Sequence, residues 1–550
     1  MSPIIECVPN FSEGRNPDII RQITQQIESV AGVRLLNVDP GKATNRTVVT
    51  FVGPPEAVVD AAFLAIRKAG ELIDMRTHRG EHPRMGATDV CPLIPVAGIS
   101  MEETALWALR LAERVGNELQ IPVYLYEAAQ MNKSRHNLSV IRAGEYEGFF
   151  KKIKLPEWLP DFGPAEFDAR RGGTVIGARD FLVAYNVNLN TTSTRRANAI
   201  AFDVREAGRT TNEGDKAVVV PGTLKSVKAI GWFIEEYGIA QISMNLTNIG
   251  VTPVHIAFDE VCRAAGARGI RVTGSELVGL IPLQAMLDAG RYFLEKQQRS
   301  TGVSEKELIR IAILSMGLDE LGPFKPEERI IEYLLREPGE SKLVGMTLDG
   351  FADETASESP APGGGSIAAY VGALGAALGS MVANLSAHKK GWDTRWKAFS
   401  DWADKGQRYK DELLRLVDAD TRAFNGIMAA FGMSKGTDAE KAARLLAIQR
   451  ATKVAIEVPL RVMDVALASF EGIRAMALEG NPNSVSDAGV GALCARAAVL
   501  GAFLNVRINA NGYEDKEYVE AILERGRATV HKAIEMEKEI LAIIDKKIGV

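Results

Sequence analysis

Two of the six histidines, His78 and His82, lie close together in the segment HRGEHPRMGATDV. Gly80 and Pro83 disfavour a continuous helix there, and HRGEH lacks the glutamate position of the HExxH zinc motif, so the spacing does not predict a metal site. A neutral imidazole suits removal of a proton from an amine, and Arg84 could hold an acidic substrate through paired hydrogen bonds. The alternative is a loop histidine bonded to backbone, which these residues alone favour.

Polar residues also stand where two predicted strands end. Asn10 lies in ECVPNFSEG and Asp39 in LLNVDPG. Loops at strand ends commonly carry ligands, which makes both residues candidates for a site. Asn and Asp before Phe-Ser or Pro-Gly also form turns without any functional purpose, so both interpretations stay open.

A further candidate is Asp420, in the helical sequence LVDADTRAF. It falls at helical spacing on an apolar stripe formed by Leu413, Leu416, Val417, Phe424 and Ile427. Asp418 lies about 200° away around the helix, so the two aspartates do not form a pair on one face. We expect only Asp420 to be partly buried, with a raised pKa; it either serves chemistry or bonds to a neighbouring helix.

The segment SPAPGGGSIAAY places three glycines immediately before a predicted helix. Free backbone N–H groups at such a point can receive an anion or a polar ring edge. The run lacks the Lys-Ser/Thr ending of a P-loop and does not follow a strand, so nucleotide binding is disfavoured.

Most of these candidates must be positioned by alternating strands and helices. The first third alternates the two patterns, from IIECVPNF through PVYLYE, and the alternation begins again near Phe181 with FLVAYNVNLN. Such halves often leave a ligand cleft between them. A segment rich in Pro, Gly, Ser and acidic residues follows, and nearly everything after it is predicted to be helical. The predicted domains are 1–181, 182–334, a linker at 335–346, and a helical bundle at 347–550.

Two helical segments of the bundle need separate interpretation. The segment Ile367 to Leu385 has the length of a membrane span, but its apolarity comes largely from Ala and Gly, so we interpret it as a buried helix. Pro459 falls inside the predicted helix AEKAARLLAIQRATKVAIEVPLRV, and its missing N–H should kink or divide that helix.

The amino-acid composition and net charge limit the kinds of molecule that the protein is expected to bind. The 550 residues are 46% hydrophobic and 25% charged, as in ordinary globular proteins, and the net charge of −5 supplies no basic surface for nucleic acid or anionic membrane. The four cysteines form no CxxC pair, and the amino terminus has no pattern of a secretory signal. We therefore expect a cytoplasmic protein with reduced thiols and a small-molecule partner, binding neither nucleic acid nor membrane.

Taken together, the motifs resemble the bifunctional formiminotransferase-cyclodeaminase family over essentially the whole chain. ECVPNFSEGR, HRGEHPRMGATDVCPLIPV, IRAGEYEGF, DFGP and GSELVGLIPL are similar to the transferase half in order. PAPGGGS, LVDADTRAF and GNPNSVSDAG are similar to the cyclodeaminase half. Their common order, more than any single motif, carries the resemblance.

The resemblance implies a fold and two reactions. Two ferredoxin-like α/β subdomains would transfer the formimino group of formiminoglutamate to tetrahydrofolate, used in polyglutamylated form and without a metal. An all-helical bundle would then release ammonia and give methenyltetrahydrofolate. Animal members form rings of dimers, which implies a homo-oligomer.

The resemblance also assigns roles to residues. His82 matches the transferase base, Asn10 and Asp39 are candidates for orienting the substrate, and Arg84 for binding it. Asp420 matches the aspartate of cyclodeamination and would donate a proton to the departing amine. The implied folate contacts are Gly163, Gly172, Gly222, Glu276, Gly364 and Gly365.

Two alternatives remain open. One half of the chain could be inactive, or the helical half could act as a methenyltetrahydrofolate cyclohydrolase or on another formimino compound. The chain could also be a folate-binding or assembly protein without catalysis, which the presence of both His82 and Asp420 disfavours.

Overall fold

The computed structural model describes residues 3–42, 44–80, 83–213, 216–335 and 343–549. They form two compact units, one of Met1–Ala285 with Met316–Leu334 and the other of Met286–Ser315 with Leu335–Val550. Strands occur in the first unit and long helices in the second. The predicted class, α/β followed by an all-helical region, is confirmed, while the domain boundaries drawn from the sequence stay predictions.

The strands of the first unit are β1 (Ile4–Cys7), β2 (Asn10–Phe11), β3 (Arg34–Gly41), β4 (Arg46–Gly53), β5 (Thr88–Ala97), β6 (Val123–Glu127), β7 (Thr174–Ala178), β8 (Val183–Leu189), β9 (Arg209–Glu213), β10 (Lys216–Val220), β11 (Val227–Ile234), β12 (Ile239–Leu246) and β13 (Val272–Val278). Its helices are α1 (Pro17–Glu28), α2 (Pro55–Leu72), α3 (Met101–Leu119), α4 (Leu138–Arg142), α5 (Glu145–Lys152), α6 (Thr194–Val204) and α7 (Val254–Gly266). Helix α8 (Leu283–Lys296) begins in the first unit and continues into the second, α9 (Glu305–Met316) follows it, and α10 (Pro326–Arg329) and α11 (Ile331–Leu334) return to the first unit.

Two main sheets organise the first unit. In the seven-stranded sheet, β1 and β2 both lie between β4 and β5, with β3 beyond β4 on one side and β7 and then β6 beyond β5 on the other. The pairings of β5 with β7 and of β7 with β6 are parallel, and the others are antiparallel. The four-stranded sheet has the antiparallel order β11-β12-β8-β13, and β9 pairs with β10.

The two faces of the seven-stranded sheet have different chemistry. Successive side chains of a strand point to opposite faces, so Ile5, Cys7 and Phe11 pack in the core with α1, α2 and α3. Glu6, Val8 and Asn10 point to the other face. The alternation in ECVPN therefore places a polar surface directly behind a hydrophobic core.

Local sequence signals explain where several helices begin. The Asn16 side chain accepts hydrogen bonds from two N–H groups of the first turn of α1, and Pro17 occupies the first helical position, where no N–H is needed. Ser100 and Glu103 form a reciprocal capping box at the start of α3. Both helices therefore begin at residues whose side chains accept the backbone N–H groups that the first turn leaves free.

The second unit continues with α12 (Leu348–Ala356), α13 (Gly364–Ala387), α14 (Trp396–Phe431), α15 (Asp438–Glu479), α16 (Val485–Ala510) and α17 (Lys516–Ile548). Within the described residues, α13 and the segment Pro482–Ala510 are the helices long and apolar enough to cross a membrane. Most of α13 is buried, and its small residues, including Gly372 and Gly375, contact α14 and α16. This burial agrees with the interpretation of Ile367–Leu385 as a buried helix.

Pro459 does not divide its helix, because α15 runs unbroken from Asp438 to Glu479. A proline removes the N–H that would bond to the carbonyl four residues earlier, here that of Ala455. The Asn509 side chain on α16 donates to that same carbonyl oxygen at 2.7 Å. A side chain from the neighbouring helix thus replaces the missing backbone donor, as is typical of tolerated helix prolines.

Candidate functional sites

A cavity of about 430 Å³ in the first unit is lined by residues of both main sheets, and we call it the inter-sheet cavity. Its size falls in the range of small-molecule sites. Asn10 and Asp39, predicted from the sequence, both line it, and so does Glu6 of β1. The four-stranded sheet contributes Lys228 and Asn245. The structure therefore brings Asn10 and Asp39 to one cavity, with a further carboxylate that the sequence did not single out.

Charges of both signs surround this cavity. Burial raises the pKa of Asp39, and Arg329 opposes that shift. Arg46 and Arg142 also line the cavity, and both face the fully buried carboxylate of Asp89. Asp89 additionally accepts the backbone N–H of Met85 at 3.1 Å. Because a buried carboxylate is costly unless it is paired, this cluster fixes the two arginines at the cavity wall.

Replacing Asp89 by Ala should lower the free energy of unfolding of the first unit by about 3 kcal/mol, because the variant leaves Arg142 and Arg46 without their buried partner. Urea denaturation measures the change. Asp60→Ala is the matched control, because Asp60 pairs with Arg114 at a half-exposed position, where such pairs contribute about 1 kcal/mol or less. Equal effects of the two substitutions would contradict a structural role for the Asp89 cluster.

The segment that carries the predicted base is anchored on both sides, although Glu81 and His82 themselves lie outside the described residues. His78 is buried, and its Nε2–H donates to the Asn45 carbonyl at 2.8 Å while its Nδ1 accepts from Arg84 Nε at 3.3 Å. Burial lowers the pKa of His78, which favours this neutral form. His78 therefore fits the alternative interpretation of a loop histidine bonded to backbone.

Arg84, predicted to bind substrate, has protein partners on every side of its guanidinium group. Two of its nitrogens donate to the Glu147 carboxylate at 2.8 and 2.6 Å, and a weaker contact reaches Glu145 at 3.2 Å. Its backbone carbonyl accepts the N–H of Tyr146. These contacts fit a positioning role beside residues 81–82, and direct contact of Arg84 with a substrate stays a prediction.

Three glycines predicted as folate contacts lie at points of close backbone packing. A Cβ atom would lie 2.3 Å from the Ile121 carbonyl oxygen at Gly163, 2.2 Å from that of Met85 at Gly172, and 2.1 Å from that of Arg205 at Gly222. None of the three lines the inter-sheet cavity.

The fourth predicted contact of the first unit, Glu276 on β13, accepts from the Asn186 side chain at 3.1 Å. It also raises the pKa of Asp39, which indicates that the two carboxylates lie near each other. Folate contact by Glu276 and the three glycines stays a prediction.

In the helical unit, Asp420 lies against the first turn of α13. The Ser366 hydroxyl is 3.1 Å from Asp420 Oδ2, and the Ser366 N–H also bonds to the carboxylate. Burial nevertheless raises the pKa of Asp420 above its usual value, because it outweighs these two hydrogen bonds. A Cβ at Gly365 would lie 2.2 Å from Asp420 Oδ1, so any larger residue there requires the carboxylate to move, whereas at Gly364 the nearest atom is 3.6 Å away.

The expectation that only Asp420 would be buried is wrong. Asp418 is only 7% exposed, because its carboxylate accepts the N–H groups of Leu343 at 2.8 Å and Val344 at 3.4 Å. The chain segment before α12 thus covers the face of α14 opposite the predicted apolar stripe. The C-terminal part of the predicted apolar stripe is partly exposed to solvent instead, because Phe424 is 39% exposed.

A second cavity, of about 270 Å³, lies beside these aspartates, and we call it the helical cavity. Asp418, Thr421 and Arg422 line it together with Ser359 and Pro360 of the loop before the glycine run. Asp420 does not line it, but the Ser366 hydroxyl that contacts Asp420 is also 3.3 Å from the Thr421 hydroxyl. Thr421 therefore links the predicted acid to the cavity wall.

Sequence models of three related families match the chain in order. The formiminotransferase domain, N-terminal subdomain, matches residues 4–179, the formiminotransferase domain matches 184–336, and formiminotransferase-cyclodeaminase matches 347–528.

Curated relatives match the whole chain and each half of it. A formimidoyltransferase-cyclodeaminase from Gallus gallus is 43% identical, with 100% of both chains covered. A glutamate formimidoyltransferase from Thermoplasma acidophilum is 43% identical over 53% of this chain and 92% of its own. A methenyltetrahydrofolate cyclohydrolase from Methylorubrum extorquens is 37% identical over 37% of this chain and 98% of its own.

Proposed function

Because the chain belongs to the formiminotransferase-cyclodeaminase family, we propose that it carries out two consecutive folate reactions. The first moves the formimino group of formiminoglutamate to tetrahydrofolate and releases glutamate. The second closes a ring through the transferred carbon, releases ammonia and leaves methenyltetrahydrofolate. The observation that carries this proposal is 43% identity to a bifunctional relative over the full length of both chains.

The inter-sheet cavity is our proposed location for the transfer reaction. A folate nitrogen attacks the formimino carbon, and His82 takes the proton that this nitrogen loses. The bond from the carbon to the glutamate nitrogen then breaks, and the protonated His82 gives that proton to the departing glutamate nitrogen. Asn10 and Asp39 hold the substrate at the cavity wall, and Arg84 supports the segment that contains His82. Lys228 and the arginines of the cavity supply positive charge for the substrate carboxylates.

We place ring closure in the helical unit, with Asp420 as proton donor to the departing ammonia. Burial raises its pKa and so favours the protonated form, which is the form that can donate. Gly364 and Gly365 open α13 beside it, where backbone N–H groups can hold a polar edge of the folate.

Purified protein given formiminoglutamate and tetrahydrofolate should release glutamate and then ammonia in equal amounts, with methenyltetrahydrofolate appearing in step with the ammonia. Absorbance spectroscopy follows the folate product, and coupled assays follow glutamate and ammonia. Binding of folate without any of the three products would instead support a non-catalytic folate-binding protein.

The similarity of the helical half to a cyclohydrolase supports a second candidate function for that half. Such an enzyme adds water to methenyltetrahydrofolate and releases no ammonia. The two candidates separate when formiminotetrahydrofolate and methenyltetrahydrofolate are supplied individually. Ammonia from the first substrate supports cyclodeamination, and consumption of the second without ammonia supports the hydrolytic alternative.

Replacing Gly365 by Ala should slow ammonia release about 100-fold, because the new Cβ would displace the Asp420 carboxylate from its place against α13. Gly426→Ala is the matched control, because Gly426 lies on the same helix as Asp420 and a Cβ there meets no atom of the described residues within 4 Å. Alanine is also the better helix former, so neither variant should lose helix content by circular dichroism. Equal rates for the two variants would contradict the proposed site.

Cytoplasmic location, a homo-oligomeric assembly and a preference for polyglutamylated tetrahydrofolate are further parts of the proposal. Exposed apolar side chains on α16, among them Leu504 and Ile508, support self-association. Sedimentation analysis tests the assembly, cell fractionation tests the location, and comparison of mono- and polyglutamylated substrates tests the preference.

A further inference from the structure

Glu6 occupies the centre of the polar face of the seven-stranded sheet. It lies on β1, opposite Val52 of β4 on one side and Ile94 of β5 on the other, so backbone pairing fixes its position from both directions. The residue is 4% exposed, and its side chain lines the inter-sheet cavity together with Asn10 and Ile94. A carboxylate has thus been placed on a rigid strand inside the cavity.

Its lack of protein partners separates Glu6 from other buried acids of this unit. Among the described residues, the Glu6 side chain accepts no hydrogen bond and forms no ion pair, whereas Asp89 is met by Arg142 and by the Met85 N–H. Native proteins pair nearly all buried polar groups, and an exception calls for a functional explanation. The acceptor capacity of Glu6 is directed at the cavity.

The surroundings of Glu6 bring the pKa of its carboxyl group close to neutral pH. Burial raises the pKa of Glu6 to about 7, and the positive charge of Arg179 opposes the rise. The titratable and charged groups that line the same cavity are Asp39, Arg46, Tyr126, Arg142, Arg179 and Lys228. A bound group that donates hydrogen bonds would favour the ionised carboxylate, because only that form accepts two of them.

We propose that Glu6 binds the paired N–H donors of an amidine-type group of the substrate, as a specificity-determining residue of the inter-sheet cavity. The inference rests on the proposed transferase function, whose two substrates both contain such a group. In formiminoglutamate it is the formimino group itself, and in tetrahydrofolate it is the 2-aminopyrimidinone edge of the pterin ring. A carboxylate matches two parallel N–H donors in geometry and charge.

The test replaces Glu6 by Gln in the full-length protein and measures the dissociation constant of each substrate separately by calorimetry. Gln keeps the volume but offers one acceptor oxygen where two donors must be met, so affinity for the substrate that Glu6 contacts should fall about 10- to 100-fold. Glu113→Gln, at an exposed position of α3, is the control for a lost negative charge.

The dependence on pH gives a second readout. In the unsubstituted protein, affinity for the contacted substrate should strengthen as the pH rises through about 7, where Glu6 ionises, and the Gln variant should lose this dependence. The folded protein favours protonated Glu6, so the stability of the unsubstituted protein declines as the pH rises from about 4.5, the ordinary pKa of a glutamate, to about 7. The melting temperature of Glu6→Gln relative to the unsubstituted protein should therefore increase between about pH 4.5 and about pH 7 and then stay level.

The outcomes separate the possible contacts. Weakened binding of formiminoglutamate alone places its formimino group on Glu6, and weakened binding of tetrahydrofolate alone places the pterin there. Unchanged affinity for both substrates in a protein that still transfers the formimino group overturns the role of Glu6 and leaves the proposed function standing. Absence of transfer in the unsubstituted protein overturns the proposed function itself.

Discussion

Replacing Asp420 by Asn should slow ammonia release about 10²- to 10⁴-fold, while formimino transfer continues at its normal rate. Formiminotetrahydrofolate should then accumulate. The amide retains the shape of the carboxylate and an oxygen that can accept from Ser366, but it has no acidic proton to give to the departing nitrogen. The expected defect is therefore chemical, without loss of the helix contact.

The pH dependence of the second reaction follows from the same residue. Burial raises the pKa of Asp420, so the protonated form persists to higher pH than in an ordinary aspartate. Since the protonated form is the donor, the rate of ammonia release from supplied formiminotetrahydrofolate should fall as the pH rises through that pKa. The Asn variant should show no such decline in its residual rate.

Asp401→Asn is the matched control for Asp420→Asn, because Asp401 lies on the same helix at an exposed position, where it pairs with Lys397. Stopped assays that quantify glutamate, ammonia and the folate intermediate distinguish the two steps. Loss of glutamate release in Asp420→Asn would contradict the assignment of this aspartate to ring closure.

Replacing His82 by Ala should slow glutamate release, again about 10²- to 10⁴-fold, because the folate nitrogen loses the group that accepts its proton. Ring closure of supplied formiminotetrahydrofolate should proceed normally, since Asp420 is on a separate unit. The buried contacts of His78 and Arg84 hold the flanking residues, so the variant should keep the stability of the unsubstituted protein.

His136→Ala tests whether the effect belongs to His82, because His136 is a half-exposed histidine of the same unit that contacts Glu127. Single-turnover measurements at saturating tetrahydrofolate follow the transfer step directly. If His82→Ala transferred the formimino group at the normal rate, or lost ring closure as well, the division of the two reactions would be wrong.

Hydrophobic periodicity predicts much of the fold, because strands such as β4 and β8 and helices such as α2 have clear patterns and clear ends. It does not predict β5, because Pro92 and Pro95 interrupt TDVCPLIPV and prolines are rare in central strands. Pro92 contributes its carbonyl instead, which accepts the N–H of Val8 at 3.2 Å. At this position β5 supplies a carbonyl acceptor to its neighbour, so the strand tolerates a residue that has no N–H to donate.

The predicted site residues illustrate what a sequence can and cannot reveal. Asn10 and Asp39 share the inter-sheet cavity because they lie at neighbouring strands, and a period of two from Asn10 through Val8 leads back to Glu6. Asp418 carries no such signal. Its burial depends on a segment about 75 residues earlier, Leu343 and Val344, and no helical period on α14 can anticipate that contact.

The hydrogen bond from Asn509 to the Ala455 carbonyl links the completion of one helix to the arrival of another. During synthesis α15 emerges before α16, so the Ala455 carbonyl, one turn before Pro459, lacks its protein donor until the later helix docks. The two helices therefore become fully ordered together. The hydrogen bond from Asn509 fixes the position of α15 along α16, and it forms only when the two helices are packed as in the folded protein. A proline that would weaken an isolated helix here makes assembly of the bundle more cooperative.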